Sequence, residues 1–183
     1  MPSKAQVEAE QKKNRYVERY KRTLGSTVSS LLVIAAIAVL ISSLCLPVVQ
    51  VVGTSMEPTL ADGDILVLIK TREYERGEIC CISWQNKKLL KRIIGLPGDV
   101  IDIKDNGDVY VNDCLLEEQY ISDKSMGDCD MDFPIQVPDG KLFVLGDHRT
   151  TSIDSRNAAI GFVGNEQVVG HTLFKAWPIL REE

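Results

Sequence analysis

The sequence predicts a mostly β, antiparallel domain carried on one membrane-spanning helix, with a small inserted β/loop subdomain. Three observations predict it. Residues 24–46 form an uncharged run of 23, mostly Leu, Ile, Val and Ala. After Pro47 the chain breaks into short, strand-like apolar runs separated by Gly, Asp, Asn and Pro. Residues 104–138 are turn-rich and acidic, and stand apart from those runs.

Taken in order, residues 1–23 read as a polar, basic cytoplasmic segment, either a helix or the approach to one. The run at 24–46 would measure roughly 34 Å as a helix, against a bilayer core of about 30 Å. No charged residue lies between Arg22 and Glu57. A cleaved secretion signal normally carries an apolar stretch of only about 7–15 residues, so an uncleaved anchor is expected. Seven Lys and Arg against three Glu give residues 1–24 a balance of +4, leaving −9 for the rest of a chain of net charge −5. Basic flanks stay cytoplasmic, which puts the expected catalytic domain, 47–183, outside the cell membrane in a single-pass arrangement. Its acidity speaks against nucleic-acid binding, which requires a basic stripe.

Strands are expected at 48–52, 65–69, 79–84, 88–94, 100–103, 108–111, 141–145 and 167–170. Asp105-Asn106-Gly107-Asp108 is a hairpin signal inside the insert, and 122–134 reads as a mobile acidic loop without assigned chemistry. Adjacent Cys80 and Cys81 should point to opposite faces of a strand, at least one as a core residue. Cys114 and Cys129 suit either a disulfide or two free thiols. With His148 and His171 the only histidines, and no cysteine pair at metal-ligand spacing, neither a metal nor another cofactor is expected.

Two segments carry the chemistry. Ser55 lies in Gly53-Thr54-Ser55-Met56-Glu57-Pro58-Thr59-Leu60 and Lys91 in Lys91-Arg92-Ile93-Ile94-Gly95-Leu96-Pro97-Gly98-Asp99. Gly53 permits close approach or positive φ, and Pro58 fixes its own φ, so the turn can direct a hydroxyl and its N–H toward one carbonyl. A serine hydroxyl needs a base, and a lysine serves only when neutral. Burial would lower its pKa from the free value near 10.4. On a strand Lys91 shares its face with Leu89 and Ile93, while Arg92 lies with Leu90 and Ile94 and needs an anion or solvent.

These two blocks, with Gly63-Asp64-Ile65-Leu66-Val67 and Gly146-Asp147-His148-Arg149-Thr150-Thr151-Ser152-Ile153-Asp154-Ser155-Arg156, resemble the type I signal peptidases in order and in position relative to the anchor. The single span and small insert are similar to the Gram-positive form. The resemblance implies a signal-peptidase-like β fold and a serine endopeptidase with a Ser55–Lys91 dyad. It would remove signal peptides from secretory preproteins after small residues, at Ala-x-Ala sites. It further implies that Ser152 orients the lysine, Met56 lines the substrate pocket, and Asp64, Asp147, Arg149, Asp154 and Arg156 form the supporting scaffold. Ion partners within that scaffold are expected across strands or loops. Its partners would be preproteins, the lipid bilayer and, as a candidate, the secretion translocon.

The chain departs from the family at three points. His148 stands where Asn is frequent, the link through Asn157-Ala158-Ala159-Ile160 is slightly long, and Gly53 replaces the Gram-negative serine whose hydroxyl stabilises the oxyanion. Two other readings compete. One is a membrane-tethered, non-catalytic binding module, which needs Ser55 and Lys91 apart or exposed. The other is a self-cleaving Ser-Lys regulator, which normally carries a DNA-binding domain where this chain has an anchor.

Overall fold

The computed structural model describes residues 4–178, so the ends of the expected cytoplasmic and catalytic segments, 1–3 and 179–183, lie outside the described residues. The chain divides into two compact units, 1–45 and 46–183. The first is a single helix, α1 (Lys4–Cys45), which runs through the expected boundary at residue 24 without a break. Its stretch Arg15–Leu40 is long and apolar enough to cross a membrane. Leu31, Leu32, Ile34 and Val39 are all exposed. A helix that is apolar all round suits a lipid solvent, where backbone groups must be satisfied within the segment.

The second unit is mostly β. Its strands are β1 (Val48–Gln50), β2 (Ile65–Ile69), β3 (Ile79–Trp84), β4 (Lys87–Gly95), β5 (Val100–Ile103), β6 (Val109–Val111), β7 (Cys114–Leu115), β8 (Ile135–Gln136), β9 (Lys141–Leu145), β10 (Val163–Gly164) and β11 (Val168–Trp177). A seven-stranded sheet has the order β1-β2-β11-β3-β4-β9-β10, and a four-stranded sheet the order β7-β6-β5-β8. Every pairing is antiparallel. Gln85 and Asn86, with φ of 45° and 62°, close the β3–β4 hairpin in the left-handed conformation that matches strand twist.

Several elements differ from the sequence expectation. β1 ends at Gln50 because Val51 leaves the ladder to bond the β2 approach, its N–H donating to the Asp64 carbonyl at 2.7 Å. β11 continues seven residues past Gly170, where a stop was expected. Gly170 is a close approach, since a Cβ there would lie 2.6 Å from the Ile69 carbonyl oxygen. The small sheet takes in β5, so it begins before residue 104. The stretch 122–134, expected to be mobile, is tied down: Asp130 N–H donates to the Arg156 carbonyl and Asp130 Oδ1 accepts the Ala158 N–H.

Three apolar clusters hold this unit. Ile94, Ile101, Val109, Phe143 and Leu145 join the two sheets, with Phe133 and Phe162 set edgewise on Phe143 at 6.1 Å. Met56, Leu60, Leu66, Leu68 and Cys81 pack beneath the Ser55 turn, and Cys80, Ile82, Ile93, Leu142 and Val144 fill the opposite side of β3 and β4. Cys80 and Cys81 thus enter different clusters, both fully buried, as their alternation predicts. The four cysteines of the β-unit, Cys80, Cys81, Cys114 and Cys129, are free thiols.

Candidate active site

Three elements bring the candidate residues together. The loop from β1 to β2 carries Ser55, the middle of β4 carries Lys91, and the turn after β9 carries Ser152. Lys91 Nζ donates to Ser55 Oγ at 3.0 Å and to Ser152 Oγ at 3.0 Å. Lys91 is only 2% exposed, so its amine has hydroxyl partners but little water. Burial therefore dominates, lowering its pKa from 10.5 to about 8.

The neighbouring charges oppose one another. Asp154 raises that pKa, Arg156 lowers it and Asp147 raises it again. Both carboxylates are already committed. Asp154 accepts Arg156 Nε and Nη2, each at 2.8 Å, and Asp147 accepts Arg92 Nε at 2.8 Å and Nη2 at 2.5 Å. Each pair is close to neutral seen from Lys91, so neither aspartate pins the amine as a cation. Burial alone would raise the Asp154 pKa, but Arg156, helped by the Gly146 N–H and the Ser152 hydroxyl, holds it low.

The Asp154–Arg156 pair corrects one expectation. Partners two residues apart were expected to lie elsewhere, yet these two meet because 154–156 is a turn rather than a strand. Asp147 does reach across to Arg92, while Arg149 pairs with Glu118 of the insert. Asp64 lies fully buried at the base of the Ser55 loop, accepting the Ala61 N–H at 3.0 Å and lying 3.5 Å from Lys175.

Backbone contacts fix the hydroxyls. The His148 N–H donates to the Ser55 carbonyl at 3.1 Å, joining the two loops directly. Gly146 allows this approach, because a Cβ there would run into the Ser152 side chain and the Ser55 carbonyl. Met56 is buried against Leu66 and Leu68, and with Val49, Val51, Cys81 and Leu90 it walls a cavity of about 230 Å³ that opens on Ser55. Gly53 has φ of 90° and its N–H is taken by Asp62 Oδ1 at 2.8 Å. Pro58 follows Glu57 in the same turn through a cis peptide bond.

Sequence reasoning missed three supporting groups. Thr59 Oγ1 donates to Asp147 Oδ2 at 2.5 Å and accepts Arg92 Nη2 at 3.2 Å. Glu118 takes both terminal nitrogens of Arg149, and the Tyr120 ring lies 3.9 Å from the Arg92 guanidinium carbon. A buried guanidinium requires an anion, but nothing in the motifs marked Glu118 as the one for Arg149.

The comparisons with known proteins agree on one family. Residues 24–177 match the family model described as signal peptidase, peptidase S26. Signal peptidase I of Bacillus licheniformis is 36% identical over 174 residues, which is 86% of this chain and 91% of that protein. Signal peptidase I T of Bacillus subtilis (strain 168) is 34% identical, covering 93% of this chain and 90% of that protein. A solved structure of a signal peptidase I from Enterococcus faecalis V583 is 30% identical with a TM-score of 0.44, covering 54% of this chain and 96% of that one.

Proposed function

The chain belongs to the signal peptidase family, peptidase S26, and on that premise we propose that Ser55 is its nucleophile and Lys91 its general base. As a member of that family it is a serine protease that cleaves signal peptides from preproteins. The observation that carries the dyad is the buried Lys91 amine, 3.0 Å from both the Ser55 and the Ser152 hydroxyl.

Neutral Lys91 takes the Ser55 proton as Oγ attacks the carbonyl carbon of the peptide bond to be cut. The resulting oxyanion is met by the Ser55 N–H, since Gly53 has no hydroxyl and spends its own N–H on Asp62. Lys91 then gives the proton to the departing amine, leaving an acyl-serine. A water deprotonated by the same amine releases the signal peptide. Ser152 accepts from Lys91 and keeps its nitrogen aimed at Ser55. The four ionic residues Arg92, Asp147, Asp154 and Arg156, with Arg149, brace these loops and do not exchange protons.

Small side chains at alternate positions before the cut enter the cavity walled by Met56, Val51 and Leu90, giving Ala-x-Ala selectivity. Residues 24–46 form the anchor, with 1–23 cytoplasmic and the β-domain outside, where translocated precursors emerge beside the translocon. The test is cleavage of a detergent-solubilised preprotein, followed by sequencing of the new N-terminus. Ser55→Ala and Lys91→Met each lower kcat by more than about 10⁴-fold, and Ser152→Ala by about 10²-fold with little change in KM. Equal cleavage by wild type and Lys91→Met would sink the dyad.

A further inference from the structure

A second cavity lies on the other side of the nucleophile turn. It measures about 340 Å³ and is lined by Glu57, Pro58, Ala61, Ser122 and His148. Its wall is bound closely to Ser55: Glu57 is two residues along the chain, and the His148 N–H holds the Ser55 carbonyl at 3.1 Å. The cavity before the nucleophile is lined by residues 49–52, on β1 and just past its end, and by 88–90 of β4, just before Lys91. A peptide whose small residues occupy that cavity must leave past Ser55, toward residues 57–61 and 148.

The chemistry of this second cavity is polar and acidic. Among the described residues the Glu57 carboxylate takes part in no ion pair, whereas Lys124, the cation nearest Ser122 in the sequence, is committed to Asp108. His148 Nδ1 is buried and has no hydrogen-bond partner. That nitrogen is closed to solvent, so the group the cavity offers to a side chain is Glu57.

We propose that this cavity receives the residue immediately after the cleaved bond, the first residue of the mature protein, and that Glu57 makes it favour Lys or Arg over Asp or Glu. The inference rests on the signal-peptidase reading. A cationic side chain places its N–H donors on the Glu57 carboxylate. An acidic one brings a like charge beside Glu57 and finds no cation. The selectivity belongs to the mature side of the cut and is separate from the Ala-x-Ala preference before it.

The experiment uses the full chain in detergent and fluorogenic peptides with one Ala-x-Ala site, differing only in Lys, Gln or Glu as the first residue after the bond. Wild type favours Lys over Glu by about fivefold in kcat/KM, the size expected of a partly exposed charge pair. Glu57→Gln brings the Lys/Glu ratio near one, and Glu57→Lys inverts it. The Gln peptide is the internal reference, so a loss common to all three peptides leaves the ratio readable. A Lys/Glu ratio that is the same in wild type, Glu57→Gln and Glu57→Lys overturns the subsite while leaving the protease intact. Failure of wild type to cut any of the peptides overturns the protease reading, and the subsite with it. Should Glu57→Gln not fold, the Glu57→Lys ratio decides alone: unchanged from wild type, it overturns the proposal.

Discussion

At the scale of single residues, Lys91 is the proposed base and also a cost to the fold. Its amine titrates at about 8 in the folded protein and 10.5 when unperturbed. Between those two pH values the unfolded chain holds the proton and the folded chain does not, so stability rises with pH across that window. Below about 8 both states are protonated and the penalty of the buried cation is constant. The penalty at pH 7 is on the order of 3 kcal/mol. Lys91→Met is therefore expected to be inactive yet more stable than wild type at pH 7 in urea denaturation, with the advantage shrinking as pH rises toward 10.5. For the wild type, kcat/KM on a peptide climbs through an apparent pKa of about 8, because only the neutral amine accepts the serine proton. Lys91→Arg stays inactive at every pH, since a guanidinium does not deprotonate. A flat profile across pH 7–9 would remove Lys91 from the role of base.

At the scale of elements, the insert is a brace for the site. Glu118 neutralises Arg149, whose Nε donates to the Gly146 carbonyl at 3.1 Å, and the Ser125 and Met126 carbonyls accept Arg156 Nη1 at 3.1 and 2.7 Å. Glu118→Ala leaves a guanidinium buried without its anion and is expected to cost about 3–5 kcal/mol in urea unfolding. Glu118→Gln keeps the acceptor oxygen and costs less. Equal stability of Glu118→Ala and wild type would show the brace to be energetically idle. This element is also where sequence reading ended. Most strands were legible because apolar runs and Gly/Asn turns are local, and Ser55 with Lys91 stood out because each sits in a motif. The Glu118–Arg149 pair is separated by 31 positions, and Glu118 lies in a stretch without any periodic signal, so its acid was not legible there. Two-residue strands such as β7, β8 and β10 have no pattern of their own; pairing across the sheet creates them. Gly170 was mistaken for a stop because a close approach and a break look alike in one dimension.

At the scale of the whole molecule, the chain joins an apolar helix to a β-unit whose described clusters, with the half-buried residues packed on them, draw on residues 49–169. The basic flank, +4 over residues 1–24, sets which side of the membrane that unit occupies. The cysteines supply a test of that sidedness. Cys114 is exposed and free, whereas Cys80 and Cys81 are fully buried with thiols pushed up to about 12 and about 11 by burial. Thiolate is the reactive form, so at neutral pH the buried pair is inert and Cys114 reacts. A membrane-impermeant maleimide added to intact cells carrying the full chain is expected to label it, and Cys114→Ser to remove most of the signal; half-buried Cys129 accounts for the remainder. Labelling that appears only after the membrane is permeabilised would place the β-unit inside. The charge rule would then fail for this chain, and a site facing the cytoplasm could not meet precursors after translocation.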